Sequence, residues 1–176
     1  MRYLYLLLFF FISNIYSQEI WQIDSDSSQI NYTGSHFLHN WSAENNNIAG
    51  VIKINERSIE NVGVIAKVSE FESGNSNLDS NSYRVLEALR FPNIIFKSVI
   101  INNQENTPSI EGVLNFHGIE KNIFVDLTFT HKENSVQIDG MFAVNLSDFQ
   151  IKRPSLMLQK VDDEILVELD LIFVKR

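Results

Sequence analysis

Polar and apolar residues alternate with a period of two through most of this chain. Ile165, Val167, Leu169, Leu171 and Phe173 share one side of a run whose other side carries Glu168 and Asp170, and this spacing predicts a strand with one packed face. The same rule predicts strands at Val136 to Leu146, Ile123 to Phe129 and Ile110 to Phe116. It predicts another where Ile94, Phe96, Ser98 and Ile100 share a face. Toward the start, Ile20 to Asp24, Gln29 to Thr33, Ile48 to Ile54 and Val62 to Phe71 complete a set of about eight or nine strands. The breaks between them, such as Asn102 to Pro108, His117-Gly118 and Thr130 to Ser135, are polar and turn-forming.

One segment leaves the alternation. Glu72-Ser73-Gly74-Asn75-Ser76-Asn77 is a polar turn, and Leu78-Asp79-Ser80-Asn81 leads from it into Tyr83 to Arg90, a run of helix formers stopped by Phe91-Pro92. One short helix is predicted there, with Asp79 as its N-cap or turn acceptor and Tyr83, Leu86, Leu89 and Arg90 along one stripe. A long antiparallel meander either closes into a barrel or folds as a two-sheet sandwich. Long strands, short connections and a lone mid-chain helix placed to plug a mouth favour the barrel, so the expected class is all-β.

Length and composition add a boundary. The 176 residues suit one domain, and 13 Phe supply bulky interior material. Residues 1–17 form a separate unit: Arg2, an unbroken apolar run from Leu4 to Ile12 and a small residue, Ser17, read as a signal peptide for export. The run is too short to span a bilayer, and no Cys stands beside the cleavage point to take a lipid anchor. The expected mature domain is 18–176, periplasmic or secreted from a bacterium, and not an integral membrane protein. Removing Arg2 leaves 14 − 1 = 13 basic residues against 22 acidic ones, a net charge of −9. That surface repels nucleic acid and anionic lipid headgroups. With no cysteine, stability rests on burial and strand pairing.

Candidate chemistry is sparse. His36, His39 and His117 invite a zinc site, but residues three apart in a strand point to opposite faces, so no metal is expected. His36 and Trp41 instead suit a loop, 35–47, at the barrel mouth. No Cys nucleophile, Gly-x-Ser-x-Gly elbow, His-Glu-x-x-His pair or phosphate loop is present, so neither an enzyme nor a cofactor is expected. Asp162-Asp163-Glu164 reads as a solvated turn. Tyr32, Ile52, Phe96, Leu114, Phe116, Phe129, Phe142 and Leu169 fall at inward positions, as does Phe173, and periodicity alone leaves open whether they line a lumen or fill a core.

Several motifs carry a resemblance. Ser73-Gly74-Asn75-Ser76-Asn77 with Asp79, the short helix, Phe91-Pro92-x-x-x-Phe96-x-Ser98 and Gly112-x-Leu114-x-Phe116-x-Gly118-Ile119-x-Lys121 resemble, in order and spacing, the YceI-like family of exported lipid-binding proteins. The resemblance runs over nearly the whole mature chain. It implies an eight-stranded, lipocalin-like antiparallel barrel with one short helix covering an end and an apolar lumen for an isoprenoid-like or acyl-chain lipid. It makes the inward row lumen candidates, and His36, Trp41, Asp79, Tyr83 and Leu86 candidates for the mouth or cover. This chain departs from the pattern at Leu78-Asp79-Ser80-Asn81-Ser82, where relatives carry Arg-Asp-x-His-Leu. It departs again at Leu146-Ser147-Asp148-Phe149-Gln150, which replaces a late Arg-Ser-x-Phe-Gly, so headgroup contacts of those side chains are not carried over. The leading alternative is a packed structural or protein-interaction domain. Strand edges left free by an incompletely closed barrel would favour a homodimer.

Overall fold

The computed structural model describes residues 18–175, so the signal peptide read over residues 1–17 lies outside the described residues. The strands are β1 (Glu19–Ile23), β2 (Gln29–His36), β3 (His39–Asn45), β4 (Ile48–Asn55) and β5 (Ser58–Lys67), followed by helix α1 (Ser76–Val85). After it come β6 (Asn93–Asn102), β7 (Ser109–Phe116), β8 (Ile119–His131), β9 (Ser135–Asn145), the short pair β10 (Ser155–Leu156) and β11 (Gln159–Lys160), and β12 (Glu164–Val174). Antiparallel pairing runs β1-β4-β5-β6-β7-β8-β9-β12, and β12 returns to β1 through Gln22↔Val174 and Ile23↔Phe173. The fold is a closed eight-stranded antiparallel barrel.

Two of the eight staves are bent and carry the labels of two strands each. β2 continues β1 past a turn at Ser25–Ser27 and pairs with the other half of β12, from Asp170↔Gln29 to Leu166↔Thr33. β3 continues β4 across Asn46-Asn47. Each bend leaves backbone groups that need partners, because an unpaired buried amide or carbonyl is costly. Ser28 Oγ accepts from Ile172 N at 2.9 Å, while fully buried Asn45 donates to Lys67 O at 3.1 Å and accepts from Asn47 N at 2.8 Å.

The strands leave all their tight turns at two ends. At one end lie 56–57, 103–108 and 132–134, beside a packed floor of Trp21, Ile52, Ile54, Ile59, Val136 and Phe173. At the other end lie the β2–β3 turn, the α1 segment, His117-Gly118 and the β10–β11 excursion.

Three expectations change. Residues 35–47 are not a loop, since β2 and β3 form a hairpin in which His36 pairs with His39 around Phe37-Leu38. The helix begins at Ser76 rather than near Tyr83. Asn75 is its N-cap, accepting from Asn77 N and Leu78 N at 3.1 and 3.3 Å, and these bonds start a helix in residues of modest propensity. Asp79 is the turn acceptor instead, taking the Ser73 amide at 2.9 Å and the Ser73 hydroxyl. Beyond Val85 the chain turns, with Glu87 in the left-handed region (φ 47°), so the Tyr83-Leu86-Leu89-Arg90 stripe does not form and Leu89 stands exposed. Finally, a bulge between Ser98 and Ile100 flips the phase of β6: Ile100 faces out and Ile101 packs against the core.

Candidate ligand-binding lumen

Buried side chains form two clusters, one at the floor and one under the open end. Six side chains, Tyr32, Ile94, Phe96, Ile123, Phe142 and Val167, belong to the margin of both and are only partly buried although they point inward. They face empty space. A cavity of about 470 Å³ lies between the clusters, within the range of small-molecule sites. On β12 its wall runs from Ile165 through Val167 and Leu169 to Leu171, with Phe173 below it in the floor. Six residues of rise make about 20 Å along the strand, or about 15 Å of depth at the usual barrel tilt.

The wall is apolar until the rim. There the lining includes His36, His39, Trp41, Asn81, Ser82, Tyr83, Arg84 and Ser155, and no carboxylate. Trp41 packs against the backbone of its cross-strand partner Gly34, at a place where any Cβ would collide with the indole ring. Gly112 does the same for Phe96, whose ring occupies the space a side chain would need. Both glycines let a large aromatic lie close to the wall.

The cover is tied down from below. Tyr83 donates its hydroxyl to Phe71 O at 2.8 Å, and Phe71 packs on Tyr32 with ring centroids 5.6 Å apart. Glu72 exchanges both backbone bonds with Glu44 at 2.8 and 3.0 Å, fastening the start of the cover to the outer side of β3. Burial raises the Tyr32 phenol above its ordinary value, and the Asp79 charge pushes the same way. Tyr83 is raised too, first by burial and then by Asp79 and Glu72. Both phenols therefore keep their protons through neutral pH and face the lumen uncharged.

Of the expected inner wall, Tyr32, Phe96, Leu114, Phe116, Phe142 and Leu169 line the cavity. Ile52 and Phe129 do not: Ile52 is 1% exposed in the floor and Phe129 packs beside the floor cluster, because both sit near strand ends at the closed side. Phe173, also read as inward, is fully buried in that floor. Of the expected cover, His36, Trp41, Tyr83 and Leu86 line the mouth, and Asp79 is turned away toward Ser73.

The histidines do not behave as the strand rule suggested. The hairpin puts His36 and His39 on one face, ring centroids 6.3 Å apart, with His36 Nε2 3.3 Å from Gln159 O. His117 is elsewhere, with Nδ1 3.0 Å from Phe149 O and Nε2 3.0 Å from Glu87 Oε2. Among the described residues no group of three or more His, Asp or Glu is arranged to hold a metal ion. No described helix is long and apolar enough to cross a membrane.

The acids expected as a solvated turn fasten the rim. Asp163 accepts from the Ser147 amide at 2.9 Å and from its hydroxyl, and sits 3.5 Å from Arg153 Nε. The Ser147 hydroxyl bond, helped by the Ser147 amide and Arg153, holds its carboxyl below the ordinary value. Asp162 takes the Ser35 hydroxyl and donates its amide to Ser35 O at 2.9 Å, tying the β10–β11 excursion to the β2–β3 hairpin. Periodicity missed this excursion because its strands are two residues long.

A closed eight-stranded antiparallel barrel with a packed floor, an apolar lumen and a helix across the mouth defines a class, the calyx-shaped barrels with an internal cavity. The sequence model of the YceI-like domain matches residues 21–173, and the chain belongs to that family. Among solved structures, BcnA of Burkholderia cenocepacia aligns with a TM-score of 0.77 at 16% identity, covering 85% of this chain and 98% of that one. A polyisoprenoid binding domain from Saccharophagus degradans, described as implicated in plant cell wall breakdown, aligns at 0.72 and 10%, covering 89% and 98%. The YceI protein of Campylobacter jejuni aligns at 0.64 and 15%, covering 74% and 82%. At these identities the likeness fixes the fold. No curated protein matches the chain in sequence.

Proposed function

We propose that this chain is an exported lipid-binding protein, periplasmic or secreted, that sequesters or carries one isoprenoid-like or acyl-chain lipid in its lumen without making or breaking a bond. The observation that carries this reading is the cavity of about 470 Å³, lined by apolar side chains down to its floor with its charged and histidine lining at the rim. Each Å² of apolar ligand surface removed from water there contributes about 25 cal/mol. A chain extending along the wall from the rim to the floor would be about 20 Å long. The rim bears on the other end of the ligand: Arg84 and two histidines line it and no carboxylate does, so a neutral or anionic headgroup fits and a cationic one does not. The polyisoprenoid-binding relative supports the ligand class, and the apolar run of residues 1–17 supports export.

Mass spectrometry of organic extracts from the purified protein tests the reading, together with uptake of an apolar fluorescent probe by extracted and refolded protein. A copurified lipid at near-stoichiometric level is expected. Absence of both lipid and probe uptake would sink the proposal and favour the packed domain. Export is tested separately, by N-terminal sequencing of the protein from a periplasmic or culture fraction, where a start at or near Gln18 is expected.

A further inference from the structure

We propose that the open end of the barrel docks on a phospholipid bilayer, inserting the tips of two of its rim hairpins, β2–β3 and β10–β11, into the interfacial region. The two ends of the barrel differ in a way the fold does not require. The turns at the closed end, 56–57, 103–108 and 132–134, contain no large apolar residue. At the open end, two of the three two-residue turns, the exception being His117-Gly118, are built from large apolar side chains and present them to solvent. Phe37 and Leu38 are 62% and 50% exposed at the β2–β3 tip, and Met157 and Leu158 are 72% and 102% exposed at the β10–β11 tip. The hairpins stand side by side, joined by the Ser35–Asp162 bonds and by His36 with Gln159 O.

The second tip also has the wrong residues for its geometry. Met157 and Leu158 both have positive φ, 49° and 66°, between the paired residues Leu156 and Gln159. A two-residue turn with both centres left-handed favours Asn-Gly, and bulky apolar residues are strained there. Strain held at an exposed tip points to use rather than to folding.

Charge selects the occupant. In a chain of net charge −8, residues 34–43 and 149–161 contain no Asp or Glu, and the second stretch carries Lys152, Arg153 and Lys160. Basic residues flank the apolar tips, and the acids nearest the second, Asp148 and Asp162 to Glu164, lie just outside these stretches, with Asp162 and Asp163 engaged by the Ser35 and Ser147 hydroxyls. Such tips suit the interface of a bilayer, where apolar groups enter the acyl boundary and cations meet phosphates. The choice of a bilayer over a protein partner rests on the lipid reading of the lumen, since such a ligand is withdrawn from or returned to a membrane beside the mouth.

The test is cosedimentation with phosphatidylcholine vesicles containing a minority of phosphatidylglycerol, using the chain from residue 18. The barrel's pairings close within the described residues, and the apolar run before them would itself partition into lipid. Two double variants are compared with the parent: Phe37→Ser with Leu38→Ser, and Met157→Asn with Leu158→Gly. The second installs the residues the turn prefers, so it folds at least as well as the parent. The parent is expected to cosediment, and each variant to bind vesicles about tenfold more weakly, with probe uptake from solution unchanged. A parent that stays in the supernatant, or variants that sediment equally, would overturn docking whatever the probe does. A parent dimer dissociated by the variants without vesicles would assign the tips to a second copy and also overturn it. Loss of probe uptake with vesicle binding intact would instead remove the lumen reading and leave the docking surface standing.

Discussion

Narrowing the lumen from opposite walls separates a real void from an interior that closes up in solution. Val167 lies in register between Tyr32 and Phe142, and Val64 lies beside Phe96 across the barrel; both line the cavity. Replacing each with Phe adds about 60 Å² of apolar surface per site, worth about 1.5 kcal/mol apiece if it enters empty space. In a filled core the same insertions cost about 1–3 kcal/mol each, so the two cases differ in sign. The scale of the void makes the effect measurable: at about 24 cal/mol per Å³, a 470 Å³ cavity left empty corresponds to at most about 11 kcal/mol, comparable to the whole stability of a domain. The assay is guanidinium unfolding of extracted, refolded protein, paired with titration of an apolar fluorescent probe. For Val64→Phe with Val167→Phe, the lipid-free form should gain about 3 kcal/mol, raising Tm by about 6–12 °C, while probe affinity falls by more than about tenfold. Destabilisation by about 2 kcal/mol or more with probe binding unchanged would refute the reasoning.

Three further outcomes are expected. Tyr83→Phe removes the bond to Phe71 O that holds the cover, costing about 1 kcal/mol and speeding probe release in stopped-flow dilution; an unchanged release rate would mean the cover does not gate the mouth. Asp163→Asn should cost about 1–2 kcal/mol at pH 7, read by urea unfolding. Because the folded carboxyl sits below its unfolded value of about 3.9, that stability is present above this pH and is lost as pH falls through the folded value, so parent and variant should converge once the pH is below the folded value. Gly112→Ala forces Phe96 off the wall and into the lumen, costing about 1–3 kcal/mol and weakening probe binding; an unaffected Kd would place Phe96 outside the path of the ligand.

Strands were legible because alternation records which face of a stave is wet. β12 and β9 could be placed on alternation alone, since a closed barrel asks for one apolar face along its full length. Alternation does not record depth along the barrel axis. Leu169 and Phe173 obey the same rule, yet one lines the cavity and the other seals the floor. Phase shifts are equally invisible, so the bulge in β6 exchanged Ile100 for Ile101. The helix was misplaced because side-chain acceptors decide its start: Asn75 outweighs the propensities of residues 83–90, and Glu87 ends the regular conformation early. The His36–His39 pair was misjudged for a related reason, since a two-residue turn converts sequence neighbours into cross-strand partners. Long strands, short connections and the lone helix favoured a barrel over a sandwich, and the resemblance supplied what they could not, namely eight staves around a lumen.

The seam of the barrel also fixes when a binding site first exists. β12 pairs with β9 along its whole length, while its other edge receives β2 in its first half and β1 at Gln22↔Val174. These last contacts join residues 152 positions apart (174 − 22), among the slowest kind to form. Every partial chain lacking residues 164–174 has two unpaired edges and no enclosed lumen, whatever the first strands have already done. Such a chain encloses no cavity and exposes strand edges that pair readily with other chains. Any binding in the lumen therefore waits until the C-terminal strand has slotted between the first stave and β9 and closed the barrel.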